Sequence, residues 1–480
     1  MIGSPYVNFF KMGEYMRYVT LAPQYMLRGW CDIKYALYDW NACSGDPKKI
    51  LPLTPLQMQA IELITSKGVS IDEPLLPRSM RHAAEKLLNI KILVECDKEE
   101  GLSELQKYKY SDAKMSHVLT WSITGNCNLR CRHCYISSDK NLYGEMTFEQ
   151  CEEVIRQMID ANIYRVAITG GEPLVRKDFW QLIDLLVENH INIEEIFTNG
   201  VAVTDKFLDN LEERHINLNC FLVSYDGVGH HDWVRGVKGT EERTLAAIRR
   251  MKQRGYAVIV TTVLHNGNRD TLLPTYELMK ELGVDKWKAA SISNTGNWTQ
   301  QENNSIDKMA IMNEYFKVLE KYKADGMPMA IKLGGIFYSD GGDRGYSIPF
   351  LSGCGTVERE KETLCEASRI FPHLLPDGKL IPCLPMSGTM MEKIAPNIFD
   401  EGQSIGKILT HSPIEKYSNS TYKDLFEKNS ECNACEYKYK CSHCPASSME
   451  ATGDFFGTDR EVCMFIKGNY AEKVHQIMLN

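Results

Sequence analysis

The sequence predicts an α/β protein in three parts: a winged-helix-like domain, a parallel sheet with crossover helices, and a cysteine-rich domain. Three observations predict this. Short apolar runs alternate with helical patterns six times between residues 118 and 290, as in a parallel sheet built from right-handed crossovers, open or curled into a partial barrel. Before them, strand-like runs give way to two helices and another strand. After them, eight of the chain's 16 cysteines fall between Cys354 and Cys463.

The N-terminal elements come first. Tyr15–Thr20, Gln24–Trp30 and Lys34–Trp40 are aromatic and β-branched enough for strands. Thr54-Pro55-Leu56-Gln57 opens a helix: Thr caps it, Pro takes the first helical position, and Gln57 can bond back to the cap amide. Gly68 closes it. A second helix is expected from Pro77 to Leu88 and a strand at Ile92–Cys96, and the lysine- and glutamate-rich stretch from Asp97 to Lys114 reads as a linker.

The central strands are expected at Val118–Ile123, Arg165–Thr169, Glu195–Thr198, Asn219–Ser224, Ala257–Val263 and Lys286–Ala290. The clearest helix between them begins at the capping box Thr147-Phe148-Glu149-Gln150 and puts Phe148, Cys151, Val154, Ile155, Met158 and Ile159 on one face. Another, near Tyr276–Leu282, ends at Gly283. Ligands of such sheets bind at the carboxyl ends of the strands, so motifs on the loops after strands carry the weight. Beyond residue 310 the pattern loosens, and Gly, Pro and Cys dominate from Gly334 to Cys463. A region without long periodic helices needs another source of cohesion, which metal centres can supply. The expected boundaries are 1–105, 106–310, 311–350 as a bridge, and 351–480.

Composition narrows the function. With 480 residues the chain has room for about three domains. Lys plus Arg is 55 and Asp plus Glu is 63, a formal charge of −8, which argues against nucleic acid as a partner. No uncharged apolar run approaches the ~18 residues of a membrane span. The first 30 residues lack the basic, apolar, small-residue order of a signal peptide. A cytoplasmic protein is expected, with no membrane partner. Thiols stay reduced there, so 16 cysteines point to metal or cluster ligation rather than disulfides. Five of them, Cys31, Cys43, Cys96, Cys151 and Cys220, are scattered, and Cys151 and Cys220 read as small buried hydrophobes.

Cys127-x3-Cys131-x2-Cys134 directly follows the first central strand. Three thiolates on one tight loop can hold three irons of a cubane and leave the fourth iron open, whereas a structural zinc site wants four closed ligands. Zinc completed by His133, or merely clustered thiols, remain alternatives. Gly170-Gly171-Glu172-Pro173 follows the second strand. Its glycines let backbone approach a ligand and its carboxylate can accept from an ammonium, although a plain tight turn has the same composition. Thr198-Asn199-Gly200 ends the third strand and Ser224-Tyr225-Asp226-Gly227 the fourth, with Arg235 in the loop beyond. Ser224 and Asp226 also suit turn and cap chemistry, and Arg235 also suits a surface charge.

Taken together, Ser122–Tyr135 and these loops resemble the radical S-adenosylmethionine (radical SAM) enzymes, whose fold is a partial (β/α)6 TIM-like barrel. The resemblance implies a 4Fe-4S cluster on Cys127, Cys131 and Cys134 as the catalytic centre. It implies SAM on the open iron, cleaved after reduction to methionine and a 5′-deoxyadenosyl radical that abstracts hydrogen from the substrate. Gly170, Gly171, Glu172 and Pro173 are implied contacts of the SAM amino group, and Asn199, Ser224, Asp226 and Arg235 of its ribose and carboxylate. His133 stands where the family usually has an aromatic residue near the adenine, Ser291 to Asn297 is a further candidate for that contact, and His230 and His231 flank the site. An electron donor of flavodoxin or ferredoxin type is implied as well.

The C-terminal spacing is Cys365-x12-Gly378-x4-Cys383, then Cys432-x2-Cys435-x5-Cys441-x2-Cys444, then Cys463. It resembles the SPASM auxiliary-cluster extension, with two residues (Ser442 and His443) where that family usually has three. Eight thiolates suffice for two four-cysteine iron–sulfur sites. The resemblance assigns Cys354, Cys365, Cys383 and Cys444 to one 4Fe-4S cluster and Cys432, Cys435, Cys441 and Cys463 to another. Zinc on the central quartet is the rival reading.

Residues 15–96 are similar in element order to the peptide-recognition element of ribosomal-peptide-modifying enzymes, a PqqD-like domain to whose sheet a leader peptide adds a strand. The strand near Tyr35–Trp40, or its neighbour, is the expected edge. The combined expectation is an oxidoreductase-type maturase acting on a ribosomally made precursor peptide with a leader and forming a thioether or carbon–carbon cross-link. A sulfatase-maturating type of protein oxidase and a zinc-binding peptide scaffold are the alternatives.

Overall fold

The structure, a computed structural model, describes residues 16–42, 49–302 and 305–479. Contacts divide the chain into two units, residues 1–115 and 116–480.

In the first unit β1 (Tyr18–Leu21), β2 (Tyr25–Gly29), β3 (Ala36–Asp39) and β4 (Ile50–Pro52) lead into α1 (Pro55–Ile64) and α2 (Arg78–Asn89), followed by β5 (Leu93–Cys96) and β6 (Lys109–Tyr110). The start of α1 follows from its residues: Thr54 Oγ1 accepts from the Gln57 amide, Gln57 Oε1 accepts from the Thr54 amide at 2.8 Å, and Pro55 opens the first turn. β1 pairs with β5, and the remaining strands form a sheet in the order β4-β3-β2-β6. Val19, Leu21, Leu27, Leu37, Met58, Ile61, Ile64 and Leu93 close a shared core beneath them. Two findings differ from the sequence reading. β6 lies in the stretch read as a linker and pairs in parallel with β2. β3, the Tyr35–Trp40 run, is bonded on both sides, so the edges of this sheet are its neighbour β4 and β6. Cys43 lies outside the described residues.

In the second unit the order is β7 (Leu119–Ser122), α3 (Phe148–Asp160), β8 (Arg165–Thr169), α4 (Phe179–Glu188), β9 (Asn192–Thr198), α5 (Asp205–Glu213), β10 (Cys220–Ser224), α6 (His231–Arg235), α7 (Thr240–Gln253), β11 (Val258–Leu264), α8 (Leu272–Glu281), β12 (Lys286–Ser291), α9 (Lys308–Ala324), β13 (Ala330–Leu333) and β14 (Phe337–Ser339). β7 to β13 are parallel and neighbour one another in chain order. Crossovers of one hand then put every helix on one face. The other face is concave: Asn297, after β12, donates to Cys134 O, after β7, at 2.9 Å, across five strand spacings that a flat sheet would hold about 24 Å apart.

The sheet is larger than the six expected strands. Residues 311–350, read as a bridge, contribute most of α9 together with β13 and β14. The helical spacing of Ile311, Met312, Tyr315, Phe316, Leu319 and Tyr322, all buried, accounts for α9. From the cysteine-rich region β15 (His373–Leu374) and β16 (Leu380–Ile381) return to the opposite end, β15 parallel to β7. The Ser122 hydroxyl and His373 Nε2, both buried, meet at 2.8 Å across that junction. The rest of residues 349–479 is short helices and turns, and no helix among the described residues is long and apolar enough to cross a membrane.

Trp287 shows how the convex face is held. It is fully buried, its indole donates to Thr262 Oγ1 at 2.9 Å, and its ring packs on Tyr276 of α8. Trp287→Ala should cost about 3–5 kcal/mol, read as a lowered urea midpoint; an unchanged midpoint would contradict this packing.

Candidate active site

The loop after β7 carries Cys127, Cys131 and Cys134, and three neighbouring post-strand loops grip its backbone. After β8, the amides of Gly171 and Glu172 donate to the carbonyls of Thr124 and Asn126, each at 2.8 Å. A Cβ on Gly171 would lie 2.1 Å from Asn126 O, and one on Gly170 2.5 Å from Thr124 O, so only glycine permits this approach. After β10, the Arg235 and Val234 carbonyls of α6 accept from the amides of Arg130 (3.1 Å) and Arg132 (2.9 Å). After β12, the Asn297 amide donates to Cys134 O at 2.9 Å and its side chain to Cys131 O at 3.2 Å. Main-chain amides also reach two sulfurs, Leu129 N to Cys127 Sγ (3.4 Å) and Ser138 N to Cys134 Sγ (3.3 Å).

The polar side chains read as ligand contacts are engaged with one another. The buried Glu172 carboxylate accepts from Asn199 N at 2.7 Å, Thr198 Oγ1 at 2.8 Å and Leu174 N at 3.3 Å. Burial outweighs these donors and pushes its pKa to about 7. Pro173 begins a single 3-10 turn behind it. Asn199 Nδ2 donates to Asn128 Oδ1, inside the cysteine loop, at 2.8 Å. Asp226 is fully buried and lies 2.8 Å from the Arg235 guanidinium. Burial opposes its charge, but Arg235 prevails and holds the carboxyl below its usual range. Arg235 Nη1 in turn lies 3.6 Å from Cys131 Sγ. Ser224 is half-buried at the end of β10.

Two features go beyond the sequence reading, which places His231 beside the site without its partners and does not single out His265. His231 Nδ1 accepts from the Asp226 amide at 3.1 Å, its Nε2 lies 3.4 Å from Thr244 Oγ1, and Thr244 donates to Asn199 O at 2.8 Å. A neutral imidazole thereby ties the post-β10 loop to the post-β9 loop. His265, just after β11, sits between the rings of Trp233 and Trp298, each 5.2 Å away, and the Arg132 guanidinium stacks on the outer face of Trp233.

All fifteen described cysteines are free thiols. Burial first, then Cys131 and further charges including Glu172 and Cys134, raises the Cys127 thiol to about 12. In the C-terminal region Cys383 is buried and held well above the usual range by that burial and by Cys365 and Cys444 beside it. Cys432, Cys435, Cys441 and Cys463 line one small cavity, and burial followed by Cys463 and Cys441 raises Cys432 to about 12. Arg359 braces the turn before Cys444: it stacks on Tyr422 and donates to Cys441 O at 3.2 Å. Gly353 and Gly355, on either side of the exposed Cys354, bond to the carbonyls of Lys440 and Tyr439. Cys151 and Cys220 are buried. The donor sets are thiols alone, the ligand chemistry of iron–sulfur clusters; among the described residues no three His, Cys, Asp or Glu side chains are placed to hold a single metal ion.

The model of the radical SAM superfamily matches residues 121–279. The chain carries a radical SAM domain. It is 25% identical to the AdoMet-dependent heme synthase of Methanosarcina barkeri over 73% of this chain and 97% of that enzyme. It is 33% identical to the mycofactocin maturase MftC of Mycobacterium tuberculosis over 30% of this chain, spanning only 37% of the relative. Among solved structures, Streptococcus suis SuiB bound to its precursor peptide SuiA shares the fold with a TM-score of 0.65, at 15% identity, over 93% of this chain and 100% of that one.

Buried neutral histidines make the second unit acid-sensitive. Burial is the leading cause that lowers His231 and His373 to about 3 and His265 to about 4, from 6.5. Lowered folded-state values mean that stability is full above the unfolded value and is lost as pH falls from 6.5 toward 3 or 4. Each costs up to about 1.4 kcal/mol per pH unit in that window. The urea midpoint should drop between pH 7.5 and 5.5, and less in His373→Gln; a flat profile would contradict the burial.

Proposed function

We propose that the chain is a radical SAM peptide maturase. It abstracts hydrogen from a residue of a ribosomally made precursor peptide, by way of a 5′-deoxyadenosyl radical, and forms a thioether or carbon–carbon cross-link. The observation that carries this reading is the Cys127–Cys134 loop, with three thiols on one turn and backbone gripped from three neighbouring loops.

In this reading Cys127, Cys131 and Cys134 hold a 4Fe-4S cluster, which, once reduced by a flavodoxin- or ferredoxin-type donor, supplies the electron that splits SAM. Gly170, Gly171, Glu172, Pro173, Asn199, Ser224, Asp226 and Arg235 form the SAM side of the pocket. Arg235, fixed by Asp226, places a permanent positive charge beside Cys131 and so offsets the negative charge of bound thiolates. Glu172 holds the loops after β8 and β9 in register. Burial raises the Cys127 and Cys131 thiols, so loading them releases protons. Cys354, Cys365, Cys383 and Cys444, and separately Cys432, Cys435, Cys441 and Cys463, take the two auxiliary 4Fe-4S clusters, fully ligated and closed to SAM. Bound there, they would accept an electron after the substrate radical forms a new bond, or would position the substrate.

The peptide substrate is supported by the likeness to SuiB, whose aligned share exceeds residues 116–480 and runs into the first unit, and by the similarity to a maturase. There the winged-helix-like, PqqD-like reading makes β4 the edge that receives the leader as an added strand, with main-chain hydrogen bonds supplying affinity. The near-complete alignment with a heme synthase favours a second reading, the same radical chemistry on a tetrapyrrole.

Anaerobically reconstituted protein given dithionite should release 5′-deoxyadenosine from SAM, and Cys131→Ala should lower that rate at least about a hundredfold. The pair Cys435→Ala and Cys441→Ala should retain SAM cleavage and lose cross-linked product. Undiminished product in that pair would remove the electron-carrying role, and a colourless protein as purified and reconstituted would point to zinc.

A further inference from the structure

We propose that the concave face of the large sheet binds a carboxylate group of the substrate through Lys288 on β12 and Lys332 on β13. This rests on the reading of the chain as a radical SAM enzyme and adds the chemistry by which its substrate is recognised.

Lys286 and Lys288 are two residues apart on β12 and share a face, while the alternate residues Trp287 and Ala289 are buried on the helix side. Lys288 pairs in register with Lys332, which sets their stems about 5 Å apart at the backbone. Like charges side by side on a sheet destabilise it. Two carboxylates bear on them: Asp340, which acts on Lys286, and Glu195, which feels Lys288 and Lys286 and contacts the Cys220 thiol at 3.8 Å. Glu194 is committed to a buried pair with Arg165. Lys286 rests on the Tyr338 ring at 4.5 Å. Lys288 and Lys332 have neither an ion pair nor a hydrogen bond among the described residues. Lys332 is exposed on β13 and Lys288 half-buried on β12, and Cys444 is among the charges that bear on Lys332. Two adjacent ammonium groups with six N–H donors, in a concavity lined by β9 to β13, are a receptor for an anion. The anions that the proposed substrates bring are carboxylates: acidic side chains or the terminus of a peptide, or the propionates of a tetrapyrrole.

The test uses calorimetric titration of the full-length, anaerobically reconstituted protein with hexaglutamate, hexaglutamine and coproporphyrin III. At least one of the two acids should bind, and hexaglutamine should not. Lys288→Gln and Lys332→Gln should each weaken the acid about tenfold or more. Lys288→Arg should restore affinity, and Lys423→Gln on an exposed helix should leave it unchanged. Whichever acid shows this lysine dependence names the source of the carboxylate. Equal binding by the native protein and both Gln variants, or no binding of either acid, would overturn the proposal. If Lys332 only offsets charge on the auxiliary centre, Lys332→Gln alters the electron paramagnetic resonance of that centre and not the titration, which also overturns it. Release of 5′-deoxyadenosine by the native protein is measured alongside: its absence sinks the radical SAM reading, whereas its presence with lysine-independent binding sinks the carboxylate site alone.

Discussion

A contact between two stretches of main chain fixes everything at the mouth of the sheet. Gly170 and Gly171 press onto the carbonyls of residues 124–126, closer than any side chain would allow. Because β7 and β8 are paired neighbours, this contact sets where the cysteine loop leaves its strand. The grips from α6 and from Asn297 then set where it turns back. Three thiols on a short loop would otherwise be free to spread; the grips from three neighbouring loops fix the backbone that carries them.

Charge is arranged around that region with the same economy. Asp226, buried and unable to reach water, would be costly without Arg235, and Arg235 has Cys131 on its other side. The acid, the base and the sulfur form one line from the floor of the sheet to the cysteine loop. His231 works from behind, neutral because it is buried, and passes hydrogen bonds from Asp226 to Asn199. On the concave face the balance is different: among the described residues Lys288 and Lys332 have no ion pair or hydrogen bond, and the proposed carboxylate would complete them.

Much of this was legible in the sequence. The six central strands fall within three residues of their expected ends, because a sheet covered by helices needs continuous apolar runs, and such runs stand out. The Thr54 and Thr147 capping boxes mark their helix starts for the same local reason. Long-range pairing has no local mark. β15 and β16 are two residues each, too short to show a period, and their place beside β7 is decided by contacts such as Ser122 with His373. β3 reads as an edge only until β4 is seen beyond it. Glu172, Asp226 and Arg235 were readable as polar residues on ligand loops, but not as partners of one another and of the backbone, since a carboxylate carries no sign of which donor it will meet. α9 is the instructive case: its apolar spacing is regular, yet it lies in a stretch where Gly, Pro and Cys drew attention away from it.

The most direct measurement is the electron paramagnetic resonance spectrum of the dithionite-reduced protein with and without SAM. If three thiolates leave one iron open, SAM must bind that iron, and the g-values of the reduced centre will shift on its addition. Superimposable spectra, from a protein shown to contain reduced 4Fe-4S clusters, would contradict the assignment of Cys127, Cys131 and Cys134 to an open site.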